Sequence, residues 1–162
     1  MDYKVFNKLL SGLNGKETWG FKAGESTGSI FTFEVGEKFP WPSQLGSFEG
    51  DFSLMVYSSW RIEDRASNKL LTCWRDAGDQ IVQGLKHLEN QTINEISVST
   101  FFDLSILFKS QKVLRIFCDY GPNSNYEINW FLRRRKTDKY YSVNNKNGLI
   151  KEVPSTDSSI RL

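Results

Sequence analysis

Histidine and cysteine, from which many catalytic and metal sites are built, are scarce in this sequence. It has one histidine, His87, and two cysteines, Cys73 and Cys118. That count excludes a site with several histidine ligands, and a zinc site from these three residues would still need a fourth ligand. A Ser-His-Asp triad would have to be built around His87. We therefore expect no metal, no cofactor and no catalytic activity, with His87 on the surface or at a helix end.

The two cysteines lack the CxxC spacing of redox and metal motifs. Both fall in segments with the residue pattern of strands, where a cysteine behaves as a small apolar side chain. Buried free thiols are the expected state of Cys73 and Cys118, and one disulfide between them is the alternative.

Long apolar runs and an excess of one charge are also missing. No segment approaches the roughly 20 apolar residues that a membrane span requires, and residues 1–13 lack the cationic and apolar stretches of a signal peptide. We expect a cytoplasmic protein with no membrane contact. The chain has 21 basic and 19 acidic residues, a net charge of +2. This balance does not by itself indicate a polyanionic partner, so a nucleic-acid function would need a local basic patch.

Aromatic residues, in contrast, are abundant. The chain contains twelve Phe, six Tyr and five Trp, and 39% of its residues are hydrophobic. Such a composition is too rich for disorder and favours sheet, because bulky flat side chains pack well on a pleated surface. A chain of 162 residues fits one domain with one core. We predict a single domain over residues 1–153 and a flexible tail over residues 154–162.

The clearest strand pattern spans residues 101–135, where three apolar segments each alternate with period two. Their alternating residues are Leu104, Ile106 and Phe108, then Leu114, Ile116 and Cys118, then Tyr126, Ile128, Trp130 and Leu132. The polar links at 109–112 and 119–125 have the composition of turns. We predict that these three strands pair in order as an antiparallel meander.

Weaker patterns predict the remaining elements. Further strands are expected at 18–21, 29–35, 52–63, 70–74, 93–98, 140–143 and 149–153, with a hairpin turn at 24–28. Asp2 is a candidate N-cap for a short helix with Phe6, Leu9, Leu10 and Leu13 on one face, and Asp79 for a helix ending near Asn90. The fold class is therefore α+β, mostly β: a mainly antiparallel sheet, curved or folded into two layers, with one or two short helices.

The strongest local charge feature is the run Arg133, Arg134, Arg135 and Lys136, with Trp130, Phe131, Tyr140 and Tyr141 around it. Cations neutralise phosphates and aromatic rings stack on bases, so residues 130–141 could form a nucleic-acid-binding module. The same residues suit a solvated hairpin end or a docking surface for an acidic or catalytic partner protein. The low net charge argues against nucleic acid.

Trp41 is held between two prolines, Pro40 and Pro42, which stiffen the chain on either side. It either fills the core or serves as an exposed aromatic anchor for a partner. With Trp41 included, the candidate partner-binding residues are Trp41, Arg133, Arg134, Arg135, Lys136, Tyr140 and Tyr141.

Three carboxylates, Asp103, Asp119 and Glu127, lie near strand ends in the predicted meander. Two of them could approach each other across neighbouring strands, as a carboxylate-based hydrolase would require. Acid and base roles also need one carboxyl pKa raised by burial. Solvated turn carboxylates are the simpler interpretation.

Two stretches carry a family resemblance. Residues 52–62, with Trp60 and Arg61 near the end of a strand, and residues 103–130, ending in Glu127, Asn129 and Trp130, resemble small bacterial immunity-type proteins encoded beside polymorphic or contact-dependent toxin genes. The resemblance implies a cytoplasmic, non-enzymatic domain that binds the catalytic domain of its cognate toxin and blocks it. Binding residues in that group vary with the toxin, so none is transferred to this chain. The positive charge balance departs from the acidic surface expected of nuclease inhibitors.

Overall fold

The computed structural model describes residues 1–23, 28–121, 123–144 and 150–154. In chain order the elements are α1 (Tyr3–Leu10), β1 (Glu17–Ala23), β2 (Phe31–Val35), β3 (Phe39–Pro40), β4 (Phe48–Glu49), β5 (Phe52–Val56), β6 (Trp60–Asp64), β7 (Lys69–Cys73), α2 (Gly78–Leu85), β8 (Gln91–Val98), β9 (Leu104–Phe108), β10 (Lys112–Ile116), β11 (Ile128–Arg134), β12 (Lys139–Asn144) and β13 (Ile150–Pro154). Single 3-10 turns follow α1, α2 and β11.

Eleven of these strands form one sheet, and β3 and β4 form a separate two-stranded ribbon. The sheet order is β13-β12-β11-β5-β2-β1-β8-β9-β10-β6-β7. The pairs are antiparallel, and β1 and β8 are joined by two residue pairs, Glu17 with Thr92 and Thr18 with Gln91. This short junction divides the sheet into a first layer, from β13 to β1, and a second layer, from β8 to β7.

The two layers pack face to face. Strands β2 and β6 stand five places apart in the sheet order, which in a flat sheet would separate them by about 24 Å. The rings of Phe31 on β2 and Trp60 on β6 are nevertheless 4.9 Å apart. Likewise, the indole of Trp130 on β11 donates a hydrogen bond to the carbonyl of Phe102, 3.1 Å away, just before β9. The sheet is therefore folded onto itself around one core, and the predicted α+β, mostly β class is confirmed.

Strand alternation decides which side chains reach that core. Phe33 on β2 pairs with Leu54 on β5, and Leu132 on β11 pairs with Leu54 from the other side. All three side chains are buried, because residues in register on neighbouring strands point to the same face. The residues between them point to the opposite side, which we call the outer face of the first layer.

Helix α1 contacts strands of both layers, β11 and β12 of the first and β8 of the second. Asp2 caps it by accepting a hydrogen bond from the Lys4 N–H at 2.8 Å, as predicted. Phe6 and Leu10 are buried, and the Phe6 ring lies 5.8 Å from Trp130 and 5.9 Å from Tyr141. The predicted apolar face of this helix is confirmed.

Helix α2 packs against β7 through a glycine. Its N-cap is Ala77 and not Asp79, which lies in the first turn, where the helix dipole favours a carboxylate. An added Cβ at Gly84 would lie 2.2 Å from Cγ2 of Thr72. Gly84 costs helix propensity, but it allows α2 to approach the sheet closely enough to bury Ile81 and Leu85.

Two strand predictions were wrong. Strand β11 does not pair with β10 but with β5 and β12, because the link after β10 carries the chain from the second layer back to the first. Residues 52–63 are not one strand but two, β5 and β6, in different layers. At the break between them, the N–H groups of Tyr57 and Ser58 both donate to the Asn129 carbonyl.

Other predicted segments are found with small shifts. The β9 and β10 hairpin and the β11 and β12 hairpin both form. Pro154, placed in the predicted tail, lies in β13 opposite Lys139, and residues 155–162 are outside the described part of the chain, as are 24–27 of the predicted turn. Among the described residues, no helix is long and apolar enough to cross a membrane.

Replacing Gly84 by alanine should lower the free energy of unfolding by about 1–2 kcal/mol, although alanine is the better helix former. Overpacking costs about 1–3 kcal/mol, and a contact of 2.2 Å with Thr72 belongs to the upper part of that range, which exceeds the gain of about 1 kcal/mol in helix propensity. Urea denaturation followed by circular dichroism measures the change.

The matched control is Gly78→Ala at the start of the same helix, where an added Cβ meets nothing within 4 Å. This variant should be as stable as the parent or slightly more stable. Equal stability of the two variants would contradict the assigned contact.

Candidate partner-binding surface

The alternation of β11 separates the predicted binding residues onto two surfaces. Arg133 pairs with Ser53 of β5 and lies on the outer face of the first layer, whereas Arg134 pairs with Phe52 and lies on the inner side, at the rim of the core. The two arginines are neighbours in sequence, but they cannot contribute to one flat contact patch.

Arg133 is the centre of the outer face. Its guanidinium pairs with the Glu49 carboxylate and, at 3.0 Å, with Asp138 Oδ1. It also lies 5.7 Å from the Trp41 ring centroid and 5.9 Å from that of Tyr140, within the range of cation–π attraction. These contacts leave 15% of the Arg133 side chain exposed, so the group is fixed in position while its two aromatic neighbours reach solvent.

Further rings extend this surface along the sheet. The Phe131 ring lies 5.9 Å from Tyr140 and 6.2 Å from Tyr57. Phe131 is buried beneath its neighbours, and Tyr57 and Tyr140 are half-buried. We call Trp41, Tyr57, Phe131, Arg133 and Tyr140 the aromatic face.

Residues 37–50, which we call the strap, carry Trp41 across the outer face. The strap contains β3 and β4, and the Trp41 N–H donates to the Ser47 carbonyl at 2.9 Å. Leu45 and Phe48 are exposed in the same segment, and the Arg135 guanidinium lies 3.5 Å from the Phe39 ring centroid. Trp41 is 37% exposed, so it lies on the surface and does not fill the core.

A half-buried carboxylate, Glu34 on β2, lies below the strap. Glu34 Oε2 accepts hydrogen bonds from the Gly50 N–H at 2.8 Å and the Ser53 hydroxyl at 2.7 Å. Burial raises the pKa of the Glu34 carboxyl, with a smaller contribution from Glu49, while the two hydrogen bonds and Arg133 act in the opposite direction. The hydrogen bond from Gly50 fastens the end of the strap to β2, which assigns this carboxylate a structural role.

The remaining predicted residues of the basic segment are dispersed. Tyr141 is 4% exposed and packs in the core, so it is not accessible to a partner. Trp130 and Phe131 are buried as well, which removes three of the four rings expected to stack on bases. Lys136 is exposed beside Arg134, away from the aromatic face. Of the seven predicted residues, the structure brings Trp41, Arg133 and Tyr140 together.

The three carboxylates considered for catalysis do not share a hydrogen-bond donor. Asp103 accepts a hydrogen bond from the Cys118 N–H at 2.7 Å, Asp119 accepts from the Ser59 N–H and hydroxyl, and Glu127 is exposed. His87 is exposed in the turn after α2, where it was expected. Among the described residues, no group of three or more His, Cys, Asp or Glu could hold a metal ion.

The cysteines are free, as predicted, but both are half-buried and not buried, and Cys118 lies beyond the end of β10 and not within a strand. The Cys118 thiol contacts the Phe102 carbonyl at 3.1 Å. Burial, together with the charges of Asp103 and Asp119, raises the pKa of the Cys118 thiol to about 12. A thiol held in its neutral form is a poor nucleophile, so Cys118 serves as a packing residue.

One motif was overlooked in the sequence. Residues 24–28 read Gly-Glu-Ser-Thr-Gly, which matches the GxSxG pattern of hydrolase nucleophile elbows. Such an elbow joins a strand to a helix, whereas these residues join β1 to β2, which pair with each other as antiparallel strands. The elements on either side of the motif are therefore two strands and not a strand and a helix, and residues 24–27 themselves are outside the described part of the chain.

Compared with known protein families, with curated proteins and with solved structures, the chain matches none of them.

Replacing Arg133 by methionine should lower the free energy of unfolding at pH 7 by about 3 kcal/mol, because it leaves the 8% exposed Glu49 side chain without its cation. This loss of unfolding free energy should be smaller at acidic pH. Arg133 lowers the pKa of Glu34, so the variant raises that already elevated pKa further. A carboxyl group whose pKa is higher in the folded than in the unfolded state stabilises the fold most when it is protonated, below its unfolded pKa of about 4.3. This stabilisation is lost as the pH rises through the folded pKa.

Urea denaturation from pH 4 to pH 7 measures both effects. The matched control is Arg61→Met, because Arg61 also pairs with a glutamate and lies over a ring, but its side chain is 48% exposed. The Arg61→Met variant should lose less than about 1 kcal/mol of unfolding free energy. Equal losses for the two variants, or a loss for R133M that is constant with pH, would contradict the assigned role.

Proposed function

We propose that the chain is a non-enzymatic protein-binding domain, an immunity protein of the bacterial cytoplasm that binds and neutralises a cognate toxin domain. The observation that supports this most is the aromatic face. It presents tryptophan, tyrosine and arginine side by side, which are the residue types most enriched among binding hot spots. Its members Trp41, Arg133 and Tyr140 are also residues that the sequence singles out.

Preorganisation of this face favours a binding role. Ordering a flexible side chain at an interface costs about 0.5–1.5 kcal/mol, and the Arg133 side chain is already ordered by Glu49 and Asp138. Trp41 is held by the flanking prolines and by its backbone hydrogen bond to Ser47. A partner would therefore meet a surface whose main contacts are in place before association.

The strap adds apolar contact area next to the aromatic face. Leu45 is fully exposed and Phe48 is half-exposed, in the same loop as Trp41. A soluble protein rarely exposes several large apolar side chains close together unless they meet a partner. Loops fixed on a rigid sheet also suit a family whose binding residues vary with the toxin.

The experiment is coexpression with the toxin domain encoded beside this gene, followed by copurification and titration. Trp41→Ala should weaken the complex by about 2 kcal/mol, which is about 30-fold in Kd, because a hot-spot tryptophan typically contributes this much. Both titration calorimetry and rescue of growth in cells that express the toxin report the change.

The matched control is Trp74→Ala. Trp74 is 39% exposed and lies beside an arginine, Arg75, at 4.9 Å, but it follows β7 at the other edge of the sheet. This variant should bind within about threefold of the parent. Failure of the pair to copurify would reject the proposed function, and equal weakening by both variants would reject the aromatic face as the contact surface.

A further inference from the structure

A groove of about 480 Å³ lies between α1 and the ends of β5 and β11. It opens on the inner side of β11, away from the aromatic face. Helix α1 contributes Val5, and also Lys8 and Leu9, which follow Val5 by three and four residues and so lie on the same side of the helix as Val5. Arg134 and the exposed Lys136 line the facing wall. We call this feature the basic groove.

The groove is strongly basic. Four cations line it, Lys8, Lys16, Arg134 and Lys136, with one carboxylate, Asp51. Asp51 is paired with Lys16 at 2.9 Å and also accepts a hydrogen bond from the Glu37 N–H at 3.3 Å. The ion pairs among the described residues do not include Lys8, Arg134 or Lys136. Three cations thus converge on the groove without a counterion from the described chain.

The groove also has apolar walls. The Val5 side chain is more than half exposed, Leu9 is partly exposed, and Phe52 lies at the base, opposite Arg134 in the ladder of β5 and β11. Phe52 is 7% exposed, so its ring has no free face on which a base could stack. Single-stranded nucleic acid requires such faces beside the cations, and the groove supplies aliphatic side chains in their place.

We propose that the basic groove binds a short acidic segment of another polypeptide, with carboxylates at Lys8, Arg134 and Lys136 and an apolar side chain at Val5 and Leu9. Charge complementarity selects an acidic ligand. The aliphatic wall selects a peptide over a phosphate backbone. The proposal concerns a different surface from the aromatic face and does not depend on a toxin partner.

Fluorescence anisotropy with a labelled acidic peptide of Glu and Leu tests this. The parent protein should bind it with an affinity that falls as salt is added. Lys8→Gln combined with Lys136→Gln should raise the Kd about tenfold or more, since each lost contact is a hydrogen bond to a charged group. The control combines Lys69→Gln with Lys109→Gln, which removes the same charge from exposed lysines elsewhere, and should leave the Kd within about twofold.

Two further probes separate the possible ligands. Val5→Ser should weaken binding of the Glu and Leu peptide but not of a peptide in which Ser replaces Leu. A peptide in which Gln replaces Glu should not bind. The proposal is overturned if the acidic peptide does not bind, if both double variants weaken it equally, or if single-stranded oligothymidylate binds more tightly, which would assign the groove to nucleic acid.

Discussion

The contact between the inner faces of the two layers is the constraint on which the rest of the molecule depends. Phe31 meets Trp60 across the core, and this places β2 and β6 against each other although they are distant in the sheet order. Once the inner face of each strand is fixed, period two fixes its outer face. Arg133 must then lie outside and Arg134 inside, so two surfaces of different chemistry arise from adjacent residues of β11.

The outer surface is built by burying charge under the strap. Burying an ionised group is costly unless it is paired, and here Arg133 is placed against Glu49 while Glu34 receives two hydrogen bonds. The raised pKa of Glu34 shows that this compensation is incomplete. The arrangement gives the strap a defined position. Its last residue, Gly50, packs so closely on β2 that an added Cβ would lie 2.6 Å from the Val35 carbonyl, and glycine alone allows this approach.

Local patterns in the sequence predict much of the fold. The N-cap Asp2 and the spacing of Phe6 and Leu10 identify α1, and alternation identifies β9, β10 and β11. Alternation specifies a face but not a neighbour, which is why β11 was paired with the wrong strand. The same limit applies to the surface: Arg133 can be recognised as a candidate from its charge, but its partner Glu49 lies 84 residues earlier, and no local pattern connects them.

Asp51 contacts both the basic groove and the strap that carries Trp41 of the aromatic face. Its carboxylate holds Lys16 at the basic groove and the Glu37 N–H at the start of the strap, and its carbonyl accepts a hydrogen bond from the Arg135 N–H. The first residues of the strap are thus fastened to the same point as its end, so the strap is a closed loop and not a free arm. A closed loop loses little conformational entropy on association, and this accounts for how Trp41 can be both exposed and fixed in place.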